Sequence, residues 1–100
     1  MRDADRPIDL VPPRSDDRPS LGIVIASRNR RRRLIETLEA IASLDAPTVV
    51  VDDASEDGTS ESVRTAHARV SVLTNDRNIG VESYNRGAAH LETDVLLILD

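Results

Sequence analysis

The segment VVVDDASEDGT, Val49 to Thr59, drives three β-branched residues straight into two adjacent carboxylates. Neighbouring like charges repel, so Asp52 and Asp53 need water, a cation or hydrogen-bond donors around them. Three other polar clusters also trail short apolar runs. Ser27 and Asn29 follow LGIVIA, Asn75 to Asn78 follow VSVLT, and Asp100 follows VLLIL. The chain has no Cys, which excludes disulfides and thiolate metal sites. His67 and His90 stand at no metal-ligand spacing and read as surface residues.

Composition narrows the class further. One hundred residues allow one small domain at most. The net charge is −5 and every basic residue is Arg, an acidic balance that argues against broad nucleic-acid binding. Tyr84 is the only aromatic, too few for a single-strand stacking platform. Residues 1–20 carry four prolines among mixed Asp and Arg charges and read as a disordered leader, without the apolar core of a signal peptide. No stretch approaches the length of a membrane span. A soluble, cytoplasmic protein is the expectation.

The elements that position the polar clusters follow from periodicity. LGIVIA suits a strand buried on both faces. RRRLIETLEAIASL places Leu34, Leu38 and Ile41 on one helical stripe, widened by Ile35 and Ala42. Pro47 restarts the chain, TVVV is a second strand, and Asp57 or Thr59 is placed to cap a helix over Ser60–Ala68. VSVLTN is a third strand, VESYNRGAAHLE a third helix and VLLIL a fourth strand. This β-α-β-α-β-α-β order predicts an α/β domain with an open, mostly parallel sheet. Ligands of such sheets bind beyond the carboxyl ends of the strands, so all four clusters are expected on one rim. VLLIL is apolar on both faces and asks for a neighbour on each side, as in the front part of a larger domain.

LGIVIASRNR, VVVDDASEDGT, RNIGVESYNRG and DVLLILD, in that order and spacing, resemble the N-terminal half of family 2 glycosyltransferases. The likeness covers residues 21–100. It implies a Rossmann-like sheet forming the nucleotide-sugar-binding part of a GT-A nucleotide-diphospho-sugar transferase fold. The activity it implies is inverting, hexosyl-type transfer of a sugar from a UDP, dTDP or GDP donor to a saccharide or lipid acceptor, assisted by Mg2+ or Mn2+.

By the same resemblance, Ala26 and Ser27 sit under the base and ribose. Asp53 takes the base N–H, as suits an acceptor-only carboxylate; uracil, thymine and guanine offer such a donor, and adenine and cytosine do not. Asp52 organises the loop or meets a ribose hydroxyl. Arg77, Asn78 and Gly80 lie where relatives approach the nucleotide, and the helix start after Gly80 favours a diphosphate. Asp100 aligns with the first Asp of an Asp-x-Asp motif and would meet the ribose or the water shell of the metal. The cation-binding Asp of that motif, the general base and the acceptor pocket have no counterpart in these residues, so the 100-residue chain alone is expected to be inactive. Ser55 to Thr59 and Gly87 read as structural, serving the turn and close helix–sheet packing.

One departure stands out. Arg28 and Arg30–Arg33 surround a helix N-terminus with like charge, against the helix dipole. Relatives carry an aromatic near Arg28. A guanidinium stacked on the base, a phosphate or anionic-lipid site that reaches a membrane surface, and a solvated first turn eased by Glu36 and Glu39 all remain open. Two other functions fit parts of the pattern: a receiver-like phosphoacceptor module using the acid pair and Asp100, and a truncated, non-catalytic nucleotide-binding fragment. A dinucleotide-binding dehydrogenase is poorly supported, because no Gly-x-Gly-x-x-Gly follows the first strand.

Overall fold

The structure, a computed structural model, describes residues 19–99. Residues 1–18 of the leader expected over residues 1–20, and Asp100, lie outside the described residues. Eight elements follow in order: β1 (Leu21–Ser27), α1 (Arg31–Ile41), a 3-10 turn (Ala42–Leu44), β2 (Thr48–Asp52), α2 (Thr59–Ala66), β3 (Ser71–Thr74), α3 (Glu82–Ala89) and β4 (Val95–Leu99). The strands are all parallel, in the order β3-β2-β1-β4. The predicted α/β sheet is therefore the observed one, and its strand order reverses between β1 and β4.

Pleating divides the apolar side chains between two faces. Ile23 and Ile25 of β1 and Val50 of β2 meet Leu34 and Leu38 of α1 and Val63 of α2. On the opposite face α3 lies against β1 and β2, with Gly87 over Val24 and Val51. Three layers result, and the buried valines and isoleucines of β1 and β2 form their centre.

Helix ends depart from the expected spans. The last residues of the α1 pattern tighten into the 3-10 turn, which closes on Asp45 at φ 52°. α2 stops at Ala66, two residues early, where the His67 N–H donates to the Val63 carbonyl (2.8 Å). α3 runs from Glu82 to Ala89; the His90 and Leu91 N–H groups then donate only three residues back, to Gly87 and Ala88. Ser20, grouped by composition with the leader, is tied to the start of β4. Its N–H donates to Asp94 Oδ2 (3.0 Å), and the Asp94 N–H donates to Ser20 Oγ (2.9 Å).

β4 is the apolar edge that the sequence pattern implied for a last strand. Among the described residues it pairs only with β1, and Val95, Leu96, Leu97 and Ile98 are exposed. The helices cover β1 to β3 and stop there, and only Leu99 reaches the α1/α2 core.

Candidate functional site

Parallel register places the ends of β1, β2 and β3 side by side. Ser27 lies opposite Asp52, and Asp52 opposite Thr74. The pairing continues past the strands. The Asp53 N–H donates to the Ser27 carbonyl (2.8 Å), and the Asn75 N–H donates to the Asp52 carbonyl (2.9 Å). Three of the four expected clusters therefore share one rim, and Asp100, the fourth, lies outside the described residues.

Alternation sends the two adjacent carboxylates to opposite sides. Asp52, 2% exposed, turns toward α2. Its Oδ1 accepts the Ser55 N–H (3.0 Å) and its Oδ2 the Ser60 hydroxyl (2.6 Å), which also meets Thr74 Oγ1 (2.6 Å). Asp52 thus holds the loop together, the first of its two expected roles. Asp53, 6% exposed, turns toward α3. Oδ1 accepts Asn75 Nδ2 (2.9 Å) and the Ile79 N–H (2.8 Å), and Oδ2 accepts the Gly80 N–H (3.0 Å). Burial pushes the Asp53 pKa up, but the Ile79, Asn75 and Gly80 hydrogen bonds and the Arg28 charge outweigh it. The group lies below the ordinary carboxylate range.

Asp53 forms part of the wall of a cleft of about 460 Å³ at the reversal of strand order. Ala26, Ser27, Arg28 and Gly80 line it too, so five of the nine expected site residues converge. The others lie elsewhere. Asp52 is buried beneath the loop, and Arg77 faces a separate recess with Asp76 and Arg86. Asn78 uses its Oδ1 to accept the Gly80 N–H (3.1 Å), bracing the turn. Asp100 lies outside the described residues.

Sequence reasoning raised Arg30 and Arg33 only within an arginine run open to phosphate, and missed the rest of the wall. Arg30, Arg33, Leu34, Thr37 and Tyr84 also face the cleft. The first four follow i, i+3, i+4, i+7 spacing, a single helical stripe that was available as a signal. Asn75 was missed as the partner of Asp53. Its Nδ2 also donates to Ser83 Oγ (3.0 Å), and its Oδ1 accepts the Arg86 guanidinium. These contacts settle which way the carboxamide points.

The arginine-rich start of α1 is stabilised from another loop. Asp57 Oδ2 accepts the Arg31 N–H (3.1 Å), while Oδ1 accepts the Thr59 N–H (3.1 Å) and the Thr59 hydroxyl. One carboxylate therefore caps two helix N-termini and brings negative charge to both. The Thr59 hydroxyl bond leads in lowering the Asp57 pKa; burial opposes it, and the Arg31 and Thr59 N–H groups add to the lowering. The Arg32–Glu36 pair, 3.9 Å apart and highly exposed, adds little. Asn29 (φ 54°) joins the same two loops: its N–H donates to Ser55 Oγ (2.8 Å) and its Oδ1 accepts the Glu56 N–H (2.7 Å).

Ala54, next to Asp53, has φ 60°. A side chain costs roughly 1–2 kcal/mol in that left-handed region, offset in part by the greater unfolded-state freedom of glycine. Ala54→Gly is expected to raise stability by about 0.5–1 kcal/mol. A shift of the urea midpoint to lower concentration would contradict this.

The acid pair does not fit a metal ion. The Asp52 and Asp53 oxygens are engaged by N–H and O–H donors, and among the described residues no three His, Cys, Asp or Glu side chains come together. Among the described residues no helix is long and apolar enough to cross a membrane.

Comparison with known proteins agrees with this fold. The chain is 34% identical over 89 residues to a 4,4'-diaponeurosporenoate glycosyltransferase of Staphylococcus haemolyticus (strain JCSC1435), a match covering 81% of this chain and 24% of that protein. Crystal structures of S. aureus TarS 1-349, alone and in complex with UDP, superpose with TM-scores of 0.71 and 0.72 at 22% identity. Each covers 81% of this chain and 27% of TarS, and the likeness establishes the GT-A fold. The chain spans about a quarter of the length of these relatives. The family model described as "Glycosyl transferase family 2" matches residues 22–100, and the chain belongs to that family.

Proposed function

We propose that the full-length protein binds a nucleotide-diphosphate sugar in the cleft beside Asp53 and transfers the sugar, with inversion, to a saccharide or lipid acceptor. The observation that carries this reading is the Asp53 carboxylate, met by three hydrogen-bond donors and set in a cleft wall with Ala26, Ser27, Arg28 and Gly80. An acceptor-only group at that place favours a base with a ring N–H, hence UDP, dTDP or GDP donors. Arg28, Arg30 and Arg33 on the same wall bring positive charge to a diphosphate. The UDP complex of TarS, which shares the fold, supports the same choice of ligand.

The role of Asp53 here is recognition. It holds the base, while the guanidinium groups offset the charge that gathers on the departing nucleoside diphosphate. Mg2+ or Mn2+ remains part of the proposal for the full-length protein, associated with Asp100 and not with the acid pair. A membrane-bound acceptor would suit Arg32, exposed in the first turn of α1 outside the cleft wall. The receiver-like alternative gives way to the family match. It also needs an acid pair open to a cation, and here the pair is engaged by donors.

Calorimetry on the full-length protein with UDP-, dTDP- and GDP-sugars in the presence of Mn2+ tests the proposal. Saturable binding of at least one donor is expected. Absence of heat with all three would overturn it.

A further inference from the structure

We infer that Asn29 is a positioning residue for the donor cleft: it ties the β1–α1 connection to the loop after β2 and so holds Arg28 and Arg30 where they meet the diphosphate. This rests on the donor-binding reading above and adds to it. Three residues, Arg28 to Arg30, join the end of β1 to the start of α1. Arg28 and Arg30 line the cleft; Asn29, between them, does not. It lies instead against the loop after β2. Its N–H donates to Ser55 Oγ (2.8 Å), and its Oδ1 accepts the Glu56 N–H (2.7 Å).

The connection needs such a tie. The sheet holds it at Ser27, whose carbonyl accepts the Asp53 N–H, and Asp57 holds it at Arg31. Between those points Arg30 stands at the N-cap of α1 without a side-chain capping bond. Arg28, Arg30 and Arg33 carry like charge along one wall, which favours separation into water over convergence. Long exposed side chains also lose conformational entropy when they are gathered. Asn29 opposes both effects through the backbone. Its φ of 54° lies in the left-handed region, which asparagine tolerates better than most residues, and with that turn both of its neighbours face the cleft.

The anchor on the other side is firm. The Ser55 N–H donates to Oδ1 of the buried Asp52 (3.0 Å), whose Oδ2 accepts the Ser60 hydroxyl (2.6 Å). Asp52 therefore serves the cleft at one remove: through Ser55 and Asn29 it sets the connection that carries the arginines. Ser55, like Asn29, does not line the cleft, so both act through Arg28 and Arg30. A guanidinium already in place has less order to lose when an anion arrives, which strengthens binding.

Calorimetry on the full-length protein, with Mg2+ present throughout, compares UDP, dTDP and GDP with uridine, thymidine and guanosine. The parent protein is set beside Asn29→Ala, Ser55→Ala and Ser55→Thr. Asn29→Ala is expected to weaken binding of the preferred diphosphate roughly tenfold and of its nucleoside less than about twofold, because the nucleoside gives the arginines nothing to meet. Ser55→Ala should act in the same direction, roughly threefold, and Ser55→Thr, which keeps the hydroxyl, should restore the parent affinity. Urea unfolding identifies the folded variants; should Asn29→Ala not fold, Ser55→Ala carries the comparison. Equal losses for diphosphate and nucleoside would overturn the inference, since the substitution would then disturb the whole rim. Unchanged diphosphate affinity in the folded variants would overturn it too, as would a parent that binds the nucleoside as tightly as the diphosphate. The donor reading survives each of these results. Failure of all three diphosphates to bind the parent would remove both.

Discussion

Asp53→Ala is expected to weaken nucleotide binding roughly 10- to 100-fold and to lower stability by about 2–4 kcal/mol. The binding loss follows from removing a charge-assisted hydrogen bond to the base. The stability loss has a different origin. Three donors now meet the carboxylate, and their fates differ after truncation. Asn75 keeps Ser83, Gly80 keeps Asn78, and the Ile79 N–H must find water or go unpaired. Urea unfolding measures the stability effect, and calorimetry with UDP the other.

The same substitution should change the acid limb of stability. Asp53 titrates lower in the folded chain than in the unfolded one. Its contribution is therefore whole above the ordinary carboxylate range, near pH ~4, and is lost as pH falls through the depressed folded value. Asp57 acts in the same sense. Stability of the parent protein should fall steeply below about pH 4, and Asp53→Ala should show a shallower fall over that window. Identical slopes for the two proteins would mean that Asp53 is not held ionised by its donors.

Gly87→Ala should be the most costly conservative change in α3. A Cβ there would lie 2.5 Å from Val24 Cγ1 and 3.0 Å from Val51 Cγ2. Both valines are fully buried and β-branched, so they have no low-energy rotamer to retreat into. Alanine gains about 1 kcal/mol of helix propensity over glycine, and overpacking costs typically 1–3 kcal/mol or more. The net expectation is a loss of about 1–2 kcal/mol, read from the urea midpoint. Nucleotide affinity should fall with it, because Ser83 and Tyr84 ride on the same helix: one holds Asn75 and the other lines the cleft. An unchanged midpoint would show that α3 can stand off the sheet at no cost.

The sequence by itself determined the alternation of strands and helices, the parallel sheet and the common rim. Those features rest on local periodicity, and parallel strands joined by helices always bring their carboxyl ends to one side. Membership of the family was legible for the same reason, since its motifs are the strand ends and the turns that follow them. The family resemblance gave Asp53 the base and Asp52 the loop, but only the tertiary structure shows Asp53 in the cleft wall and Asp52 beneath the loop. Alternation says that Asp52 and Asp53 point apart, but not which layer carries the cleft.

The partners of each acid were equally hidden. Asn75, Ile79 and Gly80 reach Asp53 across separations of 22, 26 and 27 residues, and Asp57 reaches Arg31 across 26. Contacts of that range are set by sheet register and helix placement, which no local propensity encodes. The sequence suggested Asp57 or Thr59 as a cap for α2; folding made Asp57 the cap of both α2 and α1, and so gave a run of arginines at a helix start the negative charge it needs.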